Sequence, residues 1–141
     1  MDELSDDVIA FLSEGTRTAK LAYVAADGRP LVAPPVWFIV DAGALVFNTG
    51  KATAKGRALS RDPRVAICVD DQEPPFSFVQ VQGTASFGED PDELLDTATR
   101  IAARYMGADR AEEFGRRNGV PGELVVRVTP TKVIKAFDVA D

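Results

Sequence analysis

Apolar and polar positions alternate in a pattern that divides the chain into short strands and a few amphipathic helices. Leu4, Val8, Phe11 and Leu12 recur at helical spacing with acids among them, which predicts a short N-terminal helix with one buried face. Thr18 to Ala25 is strand-like. Asp27-Gly28 then supplies the positive φ angles of a tight hairpin into a return strand over Pro30 to Val40. Pro34-Pro35 removes two ladder donors, so this strand must bulge or lie at an edge there. Asp41-Ala42-Gly43 turns into a third strand, Ala44 to Thr49, and Thr53 to Ser60 reads as a short helix.

Two further strands, Arg64 to Asp70 and Phe76 to Phe87, flank a polar loop containing Pro74-Pro75. In the second, Val79 and Val81 alternate with Gln80 and Gln82, the signature of a half-buried strand. Asp90-Pro91 places an N-cap before a proline at the first helical position. The helix it starts runs to about Tyr105, with Leu94, Leu95, Ala98, Ile101, Ala102 and Tyr105 on one face. A shorter helix over Asp109 to Arg117 is broken by Gly119-Val120-Pro121-Gly122, and two strands, Glu123 to Thr129 and Lys132 to Phe137, follow. Hairpins dominate the first half, which excludes an alternating βα pattern with a parallel sheet. The expected fold is mainly β (α+β): a small antiparallel barrel of about six to seven strands with flanking helices, one domain over residues 1–141.

Composition narrows the chemistry. A chain of 141 residues, 45% hydrophobic and 27% charged, is long and apolar enough for one core without staples. No apolar run approaches the roughly 20 residues that span a bilayer, and the acidic start lacks the basic and apolar regions of a signal peptide, so a cytoplasmic protein is expected. Histidine is absent, which excludes Ser-His-Asp and Cys-His nucleophile pairs and histidine metal ligands within the chain. The single cysteine, Cys68, sits in the run Val65-Ala66-Ile67-Cys68-Val69 and reads as a buried structural thiol. No metal site is expected. The net charge of −6 argues against nucleic acid or an anionic membrane as a partner.

Charge is nevertheless uneven. Lys51, Lys55, Arg57, Arg61 and Arg64 crowd one segment that holds a single acid, Asp62. No GxGxxG turn is present, and the spacing of Gly50-Lys51-Ala52-Thr53-Ala54-Lys55-Gly56-Arg57 fails as a Walker loop. The strand end Asn48-Thr49-Gly50 leading into a cationic helix N-terminus suits a small anion such as a phosphate. It would equally serve as a solvated basic turn with ordinary caps. Pro34-Pro35-Val36-Trp37-Phe38 carries the only tryptophan on a proline-broken strand, fit either to wall a planar cofactor or to fill a core or dimer seam. Phe76 and Phe78 face the same choice.

Taken in order, several segments resemble the pyridoxamine 5′-phosphate oxidase-like split β-barrel superfamily. They are Asp27-Gly28-Arg29-Pro30, Pro35-Val36-Trp37-Phe38, Leu45-Val46-Phe47-Asn48-Thr49, Lys55-Gly56-Arg57-Ala58-Leu59, Asp62-Pro63-Arg64-Val65-Ala66 and Val79-Gln80-Val81-Gln82-Gly83-Thr84-Ala85. Within it the chain is most similar to group B of the flavin/deazaflavin oxidoreductases. The resemblance implies a homodimer that binds coenzyme F420, or alternatively FMN, between subunits and acts on a small-molecule substrate. It implies hydride transfer from the reduced deazaflavin to an electron-poor organic substrate. An FMN-binding reductase or oxidase, and a non-catalytic F420- or flavin-binding module, stand as alternatives. Carried over, Lys55 matches the phosphate-binding lysine, and Asn48, Thr49, Gly50, Lys51 and Thr53 match the turn around the phosphate and ribityl chain, with Arg57 adding charge. Pro35, Val36 and Trp37 match the strand beneath the ring system, and Phe76 and Phe78 match a segment supplied by the second subunit. Arg29, Arg57 and Arg61 are candidates for the deazaflavin's oligoglutamate tail. Several relatives carry arginine where Thr53 stands, and the Arg- and His-containing C-terminal segment of the pyridoxamine phosphate oxidases is absent, so pyridoxamine oxidation is not implied. No side chain is assigned a catalytic role.

Overall fold

The computed structural model describes residues 1–141. Its elements are α1 (Asp6–Ser13), β1 (Lys20–Val24), β2 (Pro30–Val32), β3 (Ile39–Asp41), β4 (Ala44–Gly50), α2 (Ala54–Arg61), β5 (Arg64–Asp71), β6 (Ser77–Gly88), α3 (Pro91–Met106), α4 (Ala111–Asn118) and β7 (Glu123–Ala136). The seven strands form one antiparallel sheet in the order β2-β1-β5-β6-β7-β4-β3. Alternation along the strands sends Leu21, Leu45, Phe47, Ile67, Val69, Val79, Val81, Val126 and Val128 into one interior, which Val8, Phe11 and Leu12 of α1 help to fill. On the opposite face of β4 and β7, Ala44, Val46 and Val125 pack with Leu94 of α3. This is the small antiparallel barrel with flanking helices that the hairpin pattern predicts, and the split barrel that the resemblance implies. No helix is long and apolar enough to cross a membrane.

The return strand expected over Pro30 to Val40 is two strands, β2 and β3, at opposite edges of the sheet. The cause is the proline pair. Ala22 opposes Val32, while Ala19 bridges to Val36, so one more residue lies on this strand than on β1 and the chain bulges at Pro34-Pro35. Beyond the bulge the chain leaves β1, crosses the open side of the barrel and pairs with β4.

Three smaller expectations are also revised. Only Gly28 of the Asp27-Gly28 pair has a positive φ, 87°, because the loop is wider than two residues: the Ala25 N–H donates to the Arg29 carbonyl. The true two-residue turn is Ala42-Gly43, with φ of 50° and 78°, between the paired Asp41 and Ala44. The two C-terminal strands are one 14-residue strand, β7, whose register shifts opposite Gln82 and Gly83 to absorb the extra residue near Pro130. Cys68 lies on the outer face of β5 with Arg64 and Ala66 and is half-buried rather than in the core, since the β5 interior takes Val65, Ile67 and Val69. Burial and the Asp70 charge push its thiol pKa up, away from reactivity.

Candidate cofactor site

The end of β4 and the start of α2 are locked together by backbone contacts. Thr53 caps the helix: its hydroxyl accepts from the Gly56 N–H at 3.0 Å and donates to the Gly50 carbonyl at 2.7 Å. Gly56 is required because a Cβ there would lie 2.1 Å from the Gly50 oxygen. The Lys51 N–H donates to the Gly122 carbonyl at 2.8 Å, tying the turn to the start of β7. The helix therefore begins after Lys51, and Lys51 does not share a face with Lys55. Its ammonium reaches out to Glu89 at 3.0 Å.

Lys55, in the first turn of α2, lines a notch of about 250 Å³. The notch is walled by Pro34, Pro35, Val36 and Trp37 from the bulge, Asn48 from β4, Ala98 and Ile101 from α3, Asn118 at the end of α4 and Glu123 at the start of β7. Both side-chain polar atoms of Asn48 are buried without a hydrogen-bond partner. That is a costly arrangement for an amide unless something else completes it. Burial pushes the Lys55 ammonium below its usual pKa, opposed in part by the Glu123 charge. Burial pushes the Glu123 carboxyl up, opposed in part by Lys55. The Lys55 ammonium also lies 5.9 Å from the Phe47 ring centroid.

Trp37 forms the rim. Its indole is stacked on the Tyr105 ring, and the Tyr105 hydroxyl donates to the Arg17 carbonyl at 2.6 Å and accepts from the Phe38 N–H at 3.2 Å. Phe38, the next residue, is fully buried, so the strand alternates between core and rim. Arg104 fixes the same segment, donating to the carbonyls of Leu12, Gly15 and Phe38 at 2.7, 2.9 and 2.7 Å.

The structure thus brings Pro35, Val36, Trp37, Asn48 and Lys55 together. Gly50 and Thr53 lie behind them as backbone and cap. Thr49 is buried next to the barrel-facing Phe47 and Leu124, and Arg57 is exposed on α2. Phe76 and Phe78 do not line the notch of their own chain. Phe76 stands 44% exposed in a left-handed conformation (φ 62°), its carbonyl accepting from the Val139 N–H. The residues missed by local pattern are Glu123, Asn118 and Tyr105. A larger groove of about 550 Å³ lies over the outer face of β1, β5 and β6, but its only cation, Arg64, is paired with Asp62.

A site of converging polar groups at a proline-broken strand of a split barrel has a counterpart in sequence: the profile of the pyridoxamine 5′-phosphate oxidase family matches residues 5–136. The chain belongs to that family. No curated protein matches it. Among solved structures, a conserved hypothetical protein of Mycobacterium tuberculosis shares 23% identity, with a TM-score of 0.80 over 93% of this chain and 83% of that one. An F420 reductase shares 26% identity, with a TM-score of 0.69 over 89% and 94%. A putative pyridoxamine 5′-phosphate oxidase of Listeria innocua shares 22%, with a TM-score of 0.71 over 94% and 98%. Members of this family with such an oxidoreductase fold need a cofactor to carry redox chemistry, since protein side chains supply none here. The residues of the notch fit the phosphorylated end of a flavin-type cofactor: one half-buried cation for the phosphate, and an orphaned amide offering both a donor and an acceptor.

Proposed function

We propose that the protein is a homodimeric oxidoreductase that uses coenzyme F420 to reduce an electron-poor organic substrate. The observation that carries this reading is the buried, unpartnered Asn48 amide in the notch it lines together with Lys55 and Trp37. Reduced F420, when bound, supplies a hydride. The chain's own task is to bind and orient. Lys55 holds the phosphate, Asn48 completes its hydrogen bonds on the sugar-like chain, and the Pro34–Val36 backbone with Trp37 presents an apolar wall to the ring. Orientation and exclusion of water supply the catalysis, so no acid or base from this chain is required.

The notch alone is smaller than the roughly 300–1,000 Å³ that encloses a whole cofactor-sized ligand, which supports a site completed by a second copy. Phe76, exposed and held outward, is the residue proposed to reach across. Light scattering should give twice the 15.1 kDa monomer mass.

The deciding experiment titrates the apo-protein with F420 and, separately, FMN, following Trp37 fluorescence. Micromolar or tighter binding of F420 with weak binding of FMN is expected, and Lys55→Ala should weaken it at least tenfold with the fold intact. The reverse preference would make the protein an FMN enzyme, tight binding without turnover of any acceptor would make it a carrier, and failure to bind either would overturn the reading.

A further inference from the structure

A carboxylate inside a phosphate site is an unexpected component. Glu123 lines the same notch as Lys55, yet the two do not come within ion-pairing distance of each other. The Glu123 carboxylate is held over the end of β4, where a Cβ on Gly50 would lie 3.1 Å from its Oε2. That placement follows from the register, since Gly50 and Glu123 are directly paired across β4 and β7. Four polar groups from four elements therefore converge on one small space. Lys55 only donates, Glu123 as carboxylate only accepts, and Asn48 and Asn118 can do both.

A bare anion would satisfy Lys55 and meet repulsion from Glu123, because the two charges cancel over the notch as a whole. A neutral polyol would satisfy Glu123 and leave Lys55 unused. A ligand that carries an anionic group next to hydroxyls uses all four.

We propose that Glu123 is a specificity-determining residue, which accepts a hydrogen bond from a hydroxyl next to the ligand's phosphate and so makes the site select a polyol phosphate over a simple phosphate. This rests on the phosphate assignment of Lys55 but extends it to a residue and a discrimination that the assignment does not contain. Glu123 touches no reacting atom in this scheme and acts by selecting and orienting the chain between phosphate and ring. Its raised pKa is consistent with a carboxylate waiting for a donor in a partly desolvated place.

The test uses two fragments that lack any ring, ribitol 5-phosphate and inorganic phosphate, titrated calorimetrically into the full-length protein and its Glu123→Gln variant at pH 8. The native protein should prefer ribitol 5-phosphate by at least about tenfold, the worth of a hydrogen bond to a charged group. In Glu123→Gln the preference should collapse toward unity, with inorganic phosphate binding about tenfold more tightly and the polyol phosphate no better than before. Glu123→Ala, checked for folding by circular dichroism, should collapse it likewise. An unchanged ratio in the variants, or binding of neither fragment to any of the proteins, overturns the proposal. The parent reading fails separately: F420 and FMN would both fail to bind while the fragment preference and its loss in Glu123→Gln remained.

Discussion

The indole of Trp37 lies flat on the ring of Tyr105, with centroids 5.0 Å apart and planes 2° from parallel. A stacked pair at a cavity rim sets one ring's orientation by fixing the other, and Tyr105 is fixed by two hydrogen bonds to backbone, at Arg17 and Phe38. Tyr105→Phe keeps the stack and loses both bonds. It should lower stability by about 1–2 kcal/mol in urea unfolding while leaving Trp37 emission nearly unchanged. Tyr105→Leu removes the stack and should shift that emission as well.

The unpartnered Asn48 amide carries a cost that a ligand would relieve. Replacing Asn48 with leucine removes two buried, orphaned polar atoms. Asn48→Leu should therefore raise the unfolding free energy by about 1 kcal/mol, read from the urea midpoint, while weakening cofactor binding about tenfold. A variant that loses both stability and binding would show that the amide is already satisfied in the free protein.

Gly56 touches no candidate ligand, yet it allows α2 to start against the end of β4. Gly56→Ala forces a methyl onto the Gly50 carbonyl and should cost about 3 kcal/mol, seen as a lower thermal midpoint. Any protein that still folds should bind cofactor poorly, because Lys55 rides on that first helical turn.

Asp41, at the end of β3, links three elements: Arg127 of β7 at 3.0 Å and Arg100 of α3 at 3.1 Å both reach its carboxylate. These guanidiniums, Arg127 above all, hold the carboxyl pKa below its ordinary value of 3.8. A depressed acid contributes its full stabilisation above the unfolded-state pKa and loses it as pH falls from there through the lower folded-state pKa. Asp41→Asn should thus be about 1 kcal/mol less stable near pH 7 and converge on the native protein once pH has fallen below the depressed folded-state pKa in urea titrations.

Much of this architecture could be read along the chain because it is locally encoded. The Val79 to Gln82 alternation, the Asp90-Pro91 cap and the Pro34-Pro35 interruption each act over a few residues, and each corresponds to a strand, a helix start and a bulge in the structure. Lys55 and Trp37 stood out by residue type and neighbours. Glu123 and Asn118 did not, because their place in the notch depends on the pairing of β4 with β7, which no local pattern specifies. Lys51 and Lys55, four residues apart, would share a helix face only if the helix began at Lys51, and the Thr53 cap starts it later. The apolar run around Cys68 hides which face each residue takes, so the sequence reads it as buried where the structure leaves it half-buried. Only the phase of β5 against its neighbours settles it.

The bulged segment between β2 and β3 is the chain's single crossing from one edge of the sheet to the other, so the wall behind Trp37 is also the barrel's seam. Breathing of the barrel would then be felt there before it reaches the interior strands. A molecule bridging that wall to Lys55 would act as a clasp, slowing hydrogen exchange along β2 and β3 far more than along β5 and β6. Occupancy of the site and mechanical closure of the barrel would become one equilibrium, measurable from either side.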